Sequence, residues 1–533
     1  MDKIYTTLNA EQFEEMLAVG FASLKEREEE VNRLNVFPVP DGDTGSNMRM
    51  TYESGLNALH GVAHTVGEAS ALFARGALLG ARGNSGVILS QIFKGIAIGL
   101  EGKEVCSSSD FCAALKLGVE RSYKAVVKPV EGTILTVFRE GVESVSGSGE
   151  LPLETLLEKL NSAIDMSLQS TPEKLPVLKK AGVIDSGGAG LKYIFRGFLK
   201  YFGGERADEI SLAQVGEAAA AFGGEEEFGY CTEFLLNLSE ECRRSFDISH
   251  LIAQLESIGG ESIVALRDGD IVKVHVHVEK PGDVLNIAQS YGDFMTIKIE
   301  NMTLQHSELK SAKLKERVGV ALVAVAGSDG FKDVFYSMGA DFVVSGGQCM
   351  NPSVEDFITA FDAVNADDII VLPDNSNVIL TATQAGEMYK GSRVHVIETK
   401  SLSQGYSALS LYNPDSPVEE IKADLTAAKD GVISLELTRA IRDASLNGLE
   451  IKKDDCIAIC DGEMSGAGGD YLTAFSSALA RADLSGKSIM TVFVGEGESG
   501  RKIVDFVTEN YPDIEINGVE TNQKIYAYIV AIE

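Results

Sequence analysis

Two carboxylates one residue apart, Asp41 and Asp43, lie on a loop that also contains two prolines. The polar segment 44–47 (TGSN) follows at once and opens an amphipathic run, which predicts a helix start. The first turn of a helix presents free N–H groups and the positive end of the helix dipole, so it suits a phosphate group. Carboxylates suit Mg²⁺, which leaves its other positions to water and phosphate oxygens. The spacing therefore predicts adjacent metal and phosphate sites; the alternative is an Asp-Gly turn that caps a helix.

Three other predicted helix starts combine glycine with serine or threonine. They are the segments 80–86 (GARGNSG), 131–133 (EGT) and 185–190 (DSGGAG). Glycine lets a backbone approach a ligand closely, and serine and threonine are common N-caps. Taken singly, each segment is typical of an ordinary N-cap. If alternate helix ends gather at one end of a bundle, the four segments together form a single anion-binding rim.

The spacing of apolar residues indicates which elements carry these loops. Residues 1–203 show a helical period throughout, which predicts an all-α domain. No strand pattern interrupts the predicted helices, which are 10–34, 46–60, 67–79, 86–99, 107–126, 132–146, 151–170 and 188–203.

Residues 209–312 are predicted to form a second domain, because the period changes after a passage rich in Gly, Ala and Glu. The predicted order β-α-β-β-α-β is typical of a ferredoxin-like fold. Alternation along two neighbouring strands predicts that Cys231, His275 and His277 share the face without helices. One cysteine with two histidines is a zinc-like ligand set with a position left open. The alternative is a group of polar residues on a solvated strand face.

Residues 313–533 contain short, β-rich apolar runs that helical segments separate. This alternation predicts a layered α/β domain with parallel strands.

The composition excludes several classes of protein. A net charge of −32 over 533 residues argues against a nucleic-acid partner. Seven scattered cysteines do not form a disulfide framework, and reduced thiols fit better. The sequence shows neither a signal peptide nor an apolar run long enough to span a membrane, so we expect a cytoplasmic protein. The sequence leaves a homodimer open.

Three segments together, NVFPVPDGDTGSNM, GARGNSG and AGVIDSGGAGL, resemble the kinase domain of the bacterial fatty acid kinase catalytic subunit. That domain is itself similar to the L subunit of dihydroxyacetone kinase. The resemblance implies an eight-helix barrel that holds ATP and two Mg²⁺ ions at one end. It implies that Asp41 and Asp43 are metal ligands, with Asn35 as a third.

The same resemblance implies phosphate contacts from Thr44, Ser46, Asn47, Asn84 and Ser85. The nucleotide-binding set that we predict also includes other residues of the same four loops, namely Gly45, Gly86, Thr133, Asp185 and Gly187. Arg82, the basic residue inside a glycine loop, is predicted to act with Asp41 and Asp43 in catalysis through a further phosphate contact.

The rest of the chain resembles the remaining parts of the same family. The resemblance supports the importance of Cys231, His275 and His277 without deciding whether they bind zinc. The last domain is similar to DegV-type fatty-acid-binding proteins but lacks an evident lipid-carboxylate signature. It is therefore interpreted as a docking module rather than a lipid carrier.

These features favour an ATP-dependent kinase that phosphorylates the carboxyl group of a fatty acid held by a separate fatty-acid-binding carrier protein. The product would be an acyl phosphate for phospholipid synthesis. A carboxylic acid of pKa ~4–5 is already ionised at pH 7, so this reaction requires no general base. The alternatives are a dihydroxyacetone-type kinase subunit that acts on a small triose and a non-catalytic, nucleotide-binding regulatory scaffold.

Overall fold

The computed structural model describes residues 6–35, 42–59, 63–126, 128–148, 150–206, 230–240, 242–243, 246–268, 270–301, 317–346, 351–440, 443–446 and 449–533. The chain divides into two compact units. Residues Met1–Leu212 and Arg317–Glu533 form the first unit, and residues Ala213–Glu316 form the second. The domain boundaries that the sequence suggests at 203, 209 and 312 stay predictions.

The first unit begins with helices, as the apolar period predicts. They are α1 (Ala10–Glu26), α2 (Glu28–Leu34), α3 (Thr44–Asn57), α4 (Val66–Leu79), α5 (Gly83–Gly99), α6 (Ser108–Lys124), α7 (Ile134–Ser144), α8 (Leu153–Gln169), α9 (Thr171–Lys174), α10 (Pro176–Ala181) and α11 (Ser186–Phe202). Two short strands, β1 (Thr7–Leu8) and β2 (Cys106–Ser107), pair antiparallel. The prediction that no strand interrupts the helices is therefore wrong, because two-residue strands are too short to give an alternating pattern.

The predicted helix 10–34 is two helices that meet at Arg27. Arg27 has φ −112° and ψ 11°, outside the helical range, and it forms ion pairs with Glu26 and Glu30. Three glutamates fill the first turn of α2, where the helix dipole favours negative charge. The break brings α2 against the start of α3, where Ser46 Oγ donates a hydrogen bond to Glu28 Oε1 at 2.8 Å.

The second unit consists of β3 (Tyr230–Leu238), α12 (Ile248–Ser257), β4 (Glu261–Asp268), β5 (Ile271–Val278), α13 (Pro281–Gln289) and β6 (Gly292–Asn301). The strand order is β4-β5-β3-β6, and every neighbouring pair is antiparallel. Phe234, Leu236, Val274 and Val276 are buried in its core. This is the element order that the sequence predicts, and its assignment to the ferredoxin-like fold stays an interpretation.

The first unit continues with a four-stranded sheet in which all neighbours are parallel, in the order β10-β9-β7-β8. Its elements are β7 (Val318–Ala326), α14 (Asp329–Ser337), β8 (Phe342–Ser345), α15 (Val354–Val364), β9 (Ala366–Leu372), α16 (Ile379–Met388), β10 (Arg393–Val396), α17 (Leu402–Ser410) and α18 (Val418–Gly431). The predicted parallel α/β arrangement is confirmed for this sheet.

A six-stranded sheet follows, in the order β15-β14-β11-β18-β16-β17. The elements of this region are β11 (Ile433–Arg439), β12 (Ala444–Leu446), β13 (Leu449–Ile451), β14 (Cys456–Cys460), β15 (Glu463–Gly468), α19 (Tyr471–Leu479), β16 (Ile489–Val494), α20 (Arg501–Asn510), β17 (Glu515–Glu520) and β18 (Tyr528–Ile532). Only β16 and β17 pair in parallel, so the prediction of parallel strands is wrong for this sheet. The two residues between β14 and β15 can join only antiparallel neighbours, because parallel strands need a long crossover.

The helical part and the α/β part of the first unit share a hydrophobic cluster. Ala81 and Val87, at the start of α5, are buried together with Val354 and Phe357 of α15. Backbone bonding continues the contact, since Val354 N–H donates to Ala81 O at 3.3 Å. The two parts therefore pack as one body. Among the described residues, none of the helices is long and apolar enough to cross a membrane.

Candidate nucleotide and metal site

Four helix starts meet at one end of the helical bundle. Ser186 Oγ at the start of α11 lies 3.2 Å from Thr44 Oγ1 at the start of α3. A Cβ on Gly187 would lie 3.1 Å from Ile134, the first residue of α7, and one on Gly83 of α5 would lie 2.6 Å from the Asn47 side chain. We call this end of the bundle the open end. It brings together the four segments that the sequence singles out.

The opposite end, which we call the closed end, holds the starts of α1, α4 and α6. Pairing of β1 with β2 and the bond from Gly67 N–H to Lys103 O join these starts. These three have a complete capping box, with N-cap residues Asn9, Thr65 and Ser107, whereas α8, which begins at the same end after Pro152, has no side-chain cap. In the three capped helices, side chains satisfy the N–H groups of the N-cap and N3 residues.

The starts of α3, α5 and α7 at the open end have no side-chain cap hydrogen bond from their N-cap residues, which are Asp43, Arg82 and Thr133. Aspartate and threonine are good caps, yet here their side chains bond elsewhere: Thr133 Oγ1 donates to Val130 O at 2.8 Å. Only α11 is capped, by Asp185 Oδ2, which accepts from Gly188 N–H at 2.7 Å. Other side chains take two of the first-turn N–H groups, because Ser46 N–H donates to Asn32 Oδ1 at 3.1 Å and Ile134 N–H bonds to Asp185. The remaining N–H groups of these helix starts are suited to bind an anion.

Asp43 lies at the centre of the open end and is buried. Its Oδ2 accepts a hydrogen bond from Asn351 Nδ2 at 2.7 Å, and its Oδ1 accepts one from Asn35 Nδ2 at 3.3 Å. Burial raises the pKa of Asp43 above its ordinary value, and hydrogen bonds from Asn47, Asn351 and Asn35 offset part of the rise. A buried carboxylate whose described side-chain partners are neutral amides is a favourable place for a cation.

Asn35 is thus placed beside Asp43, as its predicted role as a third metal ligand requires. Asp41 lies outside the described residues, and its predicted role stays a prediction. Among the described residues, no cluster of three His, Cys, Asp or Glu side chains is arranged to hold a metal ion. The potential ligands beside Asp43 are instead the amides of Asn35, Asn47 and Asn351.

The predicted phosphate-binding residues of α3 differ in their surroundings. Thr44, Gly45 and Asn47 are buried at the open end. Ser46 already has partners in α2, because Asn32 Nδ2 donates to its Oγ at 3.0 Å and its N–H donates to Asn32 Oδ1 at 3.1 Å. A Cβ on Gly45 would lie 2.4 Å from Glu28 O, so this position requires glycine.

The predicted residues at the start of α5 face the α/β part of the same unit. Asn84 is exposed, and its Nδ2 donates to Asn377 Oδ1 at 3.2 Å. Ser85 is half-buried, and Gly86 packs against Thr51.

Arg82 Nη1 donates to Asn351 O at 2.7 Å and lies 3.4 Å from Asp356 Oδ2. The guanidinium therefore bonds to the loop before α15 and to α15 itself, and its predicted phosphate contact stays a prediction.

The predicted residues Asp185 and Gly187 lie where α11 meets α7. Burial raises the pKa of Asp185 to about 6, against backbone hydrogen bonds that lower it. Gly187 is buried against Ile134.

The predicted zinc residues lie in paired strands of the second unit. Cys231 on β3 is the direct partner of His277 on β5, and Glu233 is the partner of His275. The neighbouring positions of β3 and β5 agree with the prediction, but the side chains of these residues lie outside what the structure describes. Zinc binding stays a prediction, which metal analysis of the purified protein tests.

Sequence reasoning missed several polar residues around the open end. Asn351 and Asn377 are far from α3 and α5 in the chain, so no local pattern could reveal them. Asn32 lies within a predicted helix and has no unusual spacing. A cleft of about 960 Å³ was also missed; Asn35 of the helical part lines it together with Asp374, Lys400 and Glu436 of the α/β part.

The helical bundle, with its four helix starts at one end, defines the class of the first domain: residues 38–200 match the DAK2 domain. Residues 227–309 match the FakA-like middle domain of fatty acid kinases, and residues 321–533 match the FakA-like C-terminal domain. The chain belongs to the FakA-like fatty acid kinase family, as the sequence motifs predict.

Relatives of similar length support this assignment. Protein YloV of Bacillus subtilis (strain 168) is 38% identical over 552 residues, covering 99% of both chains. Uncharacterized proteins of Staphylococcus aureus (strain USA300) and of Staphylococcus epidermidis are each 36% identical, again over 99% of both chains.

Solved structures of DegV family proteins match part of the chain. One, "Fatty Acid Binding of a DegV family Protein from Thermus thermophilus", covers 40% of this chain and 99% of its own, with 17% identity and a TM-score of 0.31. A DegV family protein from Corynebacterium glutamicum covers 40% and 96%, with 11% identity and a TM-score of 0.32. Likenesses at this level support no conclusion about this chain.

Proposed function

We propose that this chain is the ATP-binding component of a fatty acid kinase. It would transfer the γ-phosphoryl group of ATP to the carboxylate of a fatty acid presented by a separate fatty-acid-binding protein, giving an acyl phosphate. The observation that carries the proposal is that three helix starts gather at the open end without a side-chain cap from their N-cap residues, and one of these residues is the buried Asp43. Backbone N–H groups at helix starts stabilise phosphate oxygens before and during transfer.

Magnesium fits the residues at the open end. Asp43 offers a buried carboxylate, and Asn351 Oδ1 beside it is buried without a hydrogen-bond partner among the described residues. Asp43 and Asn35, together with Asp41, would hold the metal. When bound, Mg²⁺ neutralises charge on the phosphates and on the transferred phosphoryl group. The number of ions stays part of the proposal.

A carboxylate acceptor makes the smaller demand on the site, because it needs no base. A hydroxyl acceptor must lose a proton during transfer, whereas a fatty acid of pKa ~4–5 is already ionised. The proposed reaction therefore needs positioning and charge neutralisation but no base.

The apolar chain of the acceptor favours a separate carrier. A free fatty acid costs about 0.8 kcal/mol for each CH₂ exposed to water, so a protein that buries the chain and presents only the carboxylate is physically sensible.

The test is ATP consumption by the purified chain with a fatty acid, with and without a fatty-acid-binding partner protein. Hydroxylamine traps the acyl phosphate as a hydroxamate. We expect hydroxamate only when both proteins are present. Transfer to dihydroxyacetone in place of the fatty acid would support the triose kinase, and nucleotide binding without turnover on any acceptor would support the scaffold.

A further inference from the structure

The loop before α15 is fixed to the start of α5 by two sets of backbone contacts and by the half-buried side chain of Arg82. Arg82 and Ser353 form an isolated antiparallel bridge, and Val354 N–H donates to Ala81 O at 3.3 Å. Arg82 Nη1 donates to Asn351 O at 2.7 Å. Ala81 and Val354 are both fully buried in the shared hydrophobic cluster. The position of Asn351 is thus set by these contacts with Ala81 and Arg82.

The side chain of Asn351 enters the open end. It is fully buried, its Nδ2 donates to Asp43 Oδ2 at 2.7 Å, and the same nitrogen lies 3.4 Å from Asn47 Oδ1. Its Oδ1 is buried and, among the described residues, has no hydrogen-bond partner. A buried acceptor without a partner has lost its hydration without compensation, so it calls for an explanation.

A divalent cation would account both for the place of the Asn351 amide nitrogen and for the missing partner of its amide oxygen. Amide and carboxylate oxygens are the ligands that Mg²⁺ takes from proteins, with water and phosphate oxygens completing its shell. The amide nitrogen lies between oxygens of Asp43 and Asn47, a place of negative potential that also attracts a cation. The unpartnered oxygen belongs to the same planar group, so rotation of that group about its terminal bond exchanges nitrogen for oxygen.

We propose that Asn351, from the α/β part of the unit, supplies its amide oxygen to the divalent cation that Asp43 holds, directly or through a bound water. The metal site is then built from both parts of the unit and is complete only when the loop before α15 is docked on α5. Arg82 is a positioning residue that holds this loop, and it acts through Asn351. The inference rests on the proposed function only in requiring Mg²⁺ with a nucleotide at the open end.

The experiment measures binding of a non-hydrolysable ATP analogue to the full chain by calorimetry, over a range of Mg²⁺ concentrations. Asn351→Ala should raise the Mg²⁺ concentration needed for half-maximal binding by about tenfold or more, the range seen when a group that supports a metal is removed. Gln384→Ala is the matched control, because Gln384 Oε1 accepts from Gln91 Nε2 at 2.8 Å across the same interface and does not bond to Asp43. It should leave the Mg²⁺ requirement unchanged.

Asn351→Asp covers the case in which the alanine variant does not fold. It keeps an oxygen for the metal but loses the donor to Asp43, so it should bind the analogue at least as well as the wild type in Mg²⁺ and worse without it. An unchanged Mg²⁺ requirement in a folded Asn351→Ala chain, or an Asn351→Asp chain that binds as well as the wild type without Mg²⁺, would overturn the inference.

No acceptor enters this measurement, so its outcome is separate from the test of the fatty acid reaction. Mg²⁺-dependent binding that responds to Asn351 would support the inference even if no acyl phosphate forms. A wild-type chain that binds the analogue equally with and without Mg²⁺ would overturn it.

Discussion

The two ends of the helical bundle differ in how most of their helix N-termini are capped, with α8 at the closed end and α11 at the open end as the exceptions. At the closed end, the starts of α1, α4 and α6 are satisfied by capping boxes. At the open end, Asp43, Arg82 and Thr133 occupy N-cap positions without capping, although two of them are residue types that cap well. The difference separates stability from binding: a helix start that is capped stabilises the fold, and one that is left uncapped is available to a ligand.

The largest expected effect comes from matched Asp→Asn substitutions at the two ends. Asp43→Asn removes the buried carboxylate of the open end, and we expect turnover with fatty acid and carrier to fall about 100-fold or more. Asp110→Asn at the closed end keeps an oxygen for the capping box and should leave turnover within about twofold of the wild type. Rates of acyl hydroxamate formation at saturating Mg²⁺ measure both. Near-equal rates for the two variants would show that the Asp43 carboxylate is not needed for the reaction.

Two glycines with positive φ allow a second comparison. Gly83 at the open end has φ +58°, and Gly102 near the closed end has φ +72°. Alanine at either position should cost about 1–2 kcal/mol of unfolding free energy, because a side chain is strained there. A Cβ at Gly83 would also lie 2.6 Å from Asn47 Nδ2, while nothing lies within 4 Å at Gly102.

We therefore expect Gly83→Ala to weaken nucleotide binding and Gly102→Ala to leave it unchanged, as measured by calorimetry alongside urea unfolding. Equal loss of nucleotide affinity in the two variants would mean that backbone strain, and not crowding of Asn47, is responsible.

Threonines at the two ends give a smaller effect on stability. Thr65 Oγ1 caps α4 by accepting from Glu68 N–H at 3.1 Å, so Thr65→Ala should lower the free energy of unfolding by about 1 kcal/mol. Thr133 at the start of α7 makes no such cap, so Thr133→Ala should cost less and should instead weaken nucleotide binding. Urea midpoints and nucleotide titrations of both variants test this exchange of roles, and a larger stability loss at Thr133 would contradict it.

The smallest effect concerns pH. Asp185 caps α11, and burial raises its pKa from 3.8 to about 6, so its ionised form is the costly one. The cost is absent below about pH 4 and complete above about pH 6. An asparagine at this position would still cap the helix without ionising. Asp185→Asn should therefore be more stable than the wild type at pH 7, by about 1 kcal/mol or less since solvent reaches part of the site.

This gain should disappear as the pH falls from 6 to 4. Thermal unfolding midpoints of the variant and the wild type across this pH range measure the difference in stability. A difference that grows as the pH falls would contradict the raised pKa of Asp185.

The sequence predicted the long helices and all four segments of the open end, because both depend on local spacing. It could not predict Asn351, whose contact with Asp43 spans 308 positions and follows from the packing of two parts of the chain. The second sheet was predictable in part: Asp461 and Gly462 join β14 and β15 with φ of 48° and 85°, and an Asp-Gly pair is a strong hairpin signal. That pair predicts antiparallel strands, in contrast to the parallel sheet that we expected.

The contact between Arg82 and Asn351 joins residues 269 positions apart. A ribosome that adds about 5–20 residues per second needs roughly 13–54 seconds to synthesise the intervening chain. Helix α11, which completes the helical bundle, is itself made within that interval. Until α15 follows, the bundle lacks the partner that buries Ala81 and Val87 and presents this apolar patch to the solvent. The order of synthesis therefore makes docking of the loop before α15 a late step of folding. The nascent chain is most exposed to aggregation, and most in need of a chaperone, between the synthesis of α11 and the docking of the loop before α15.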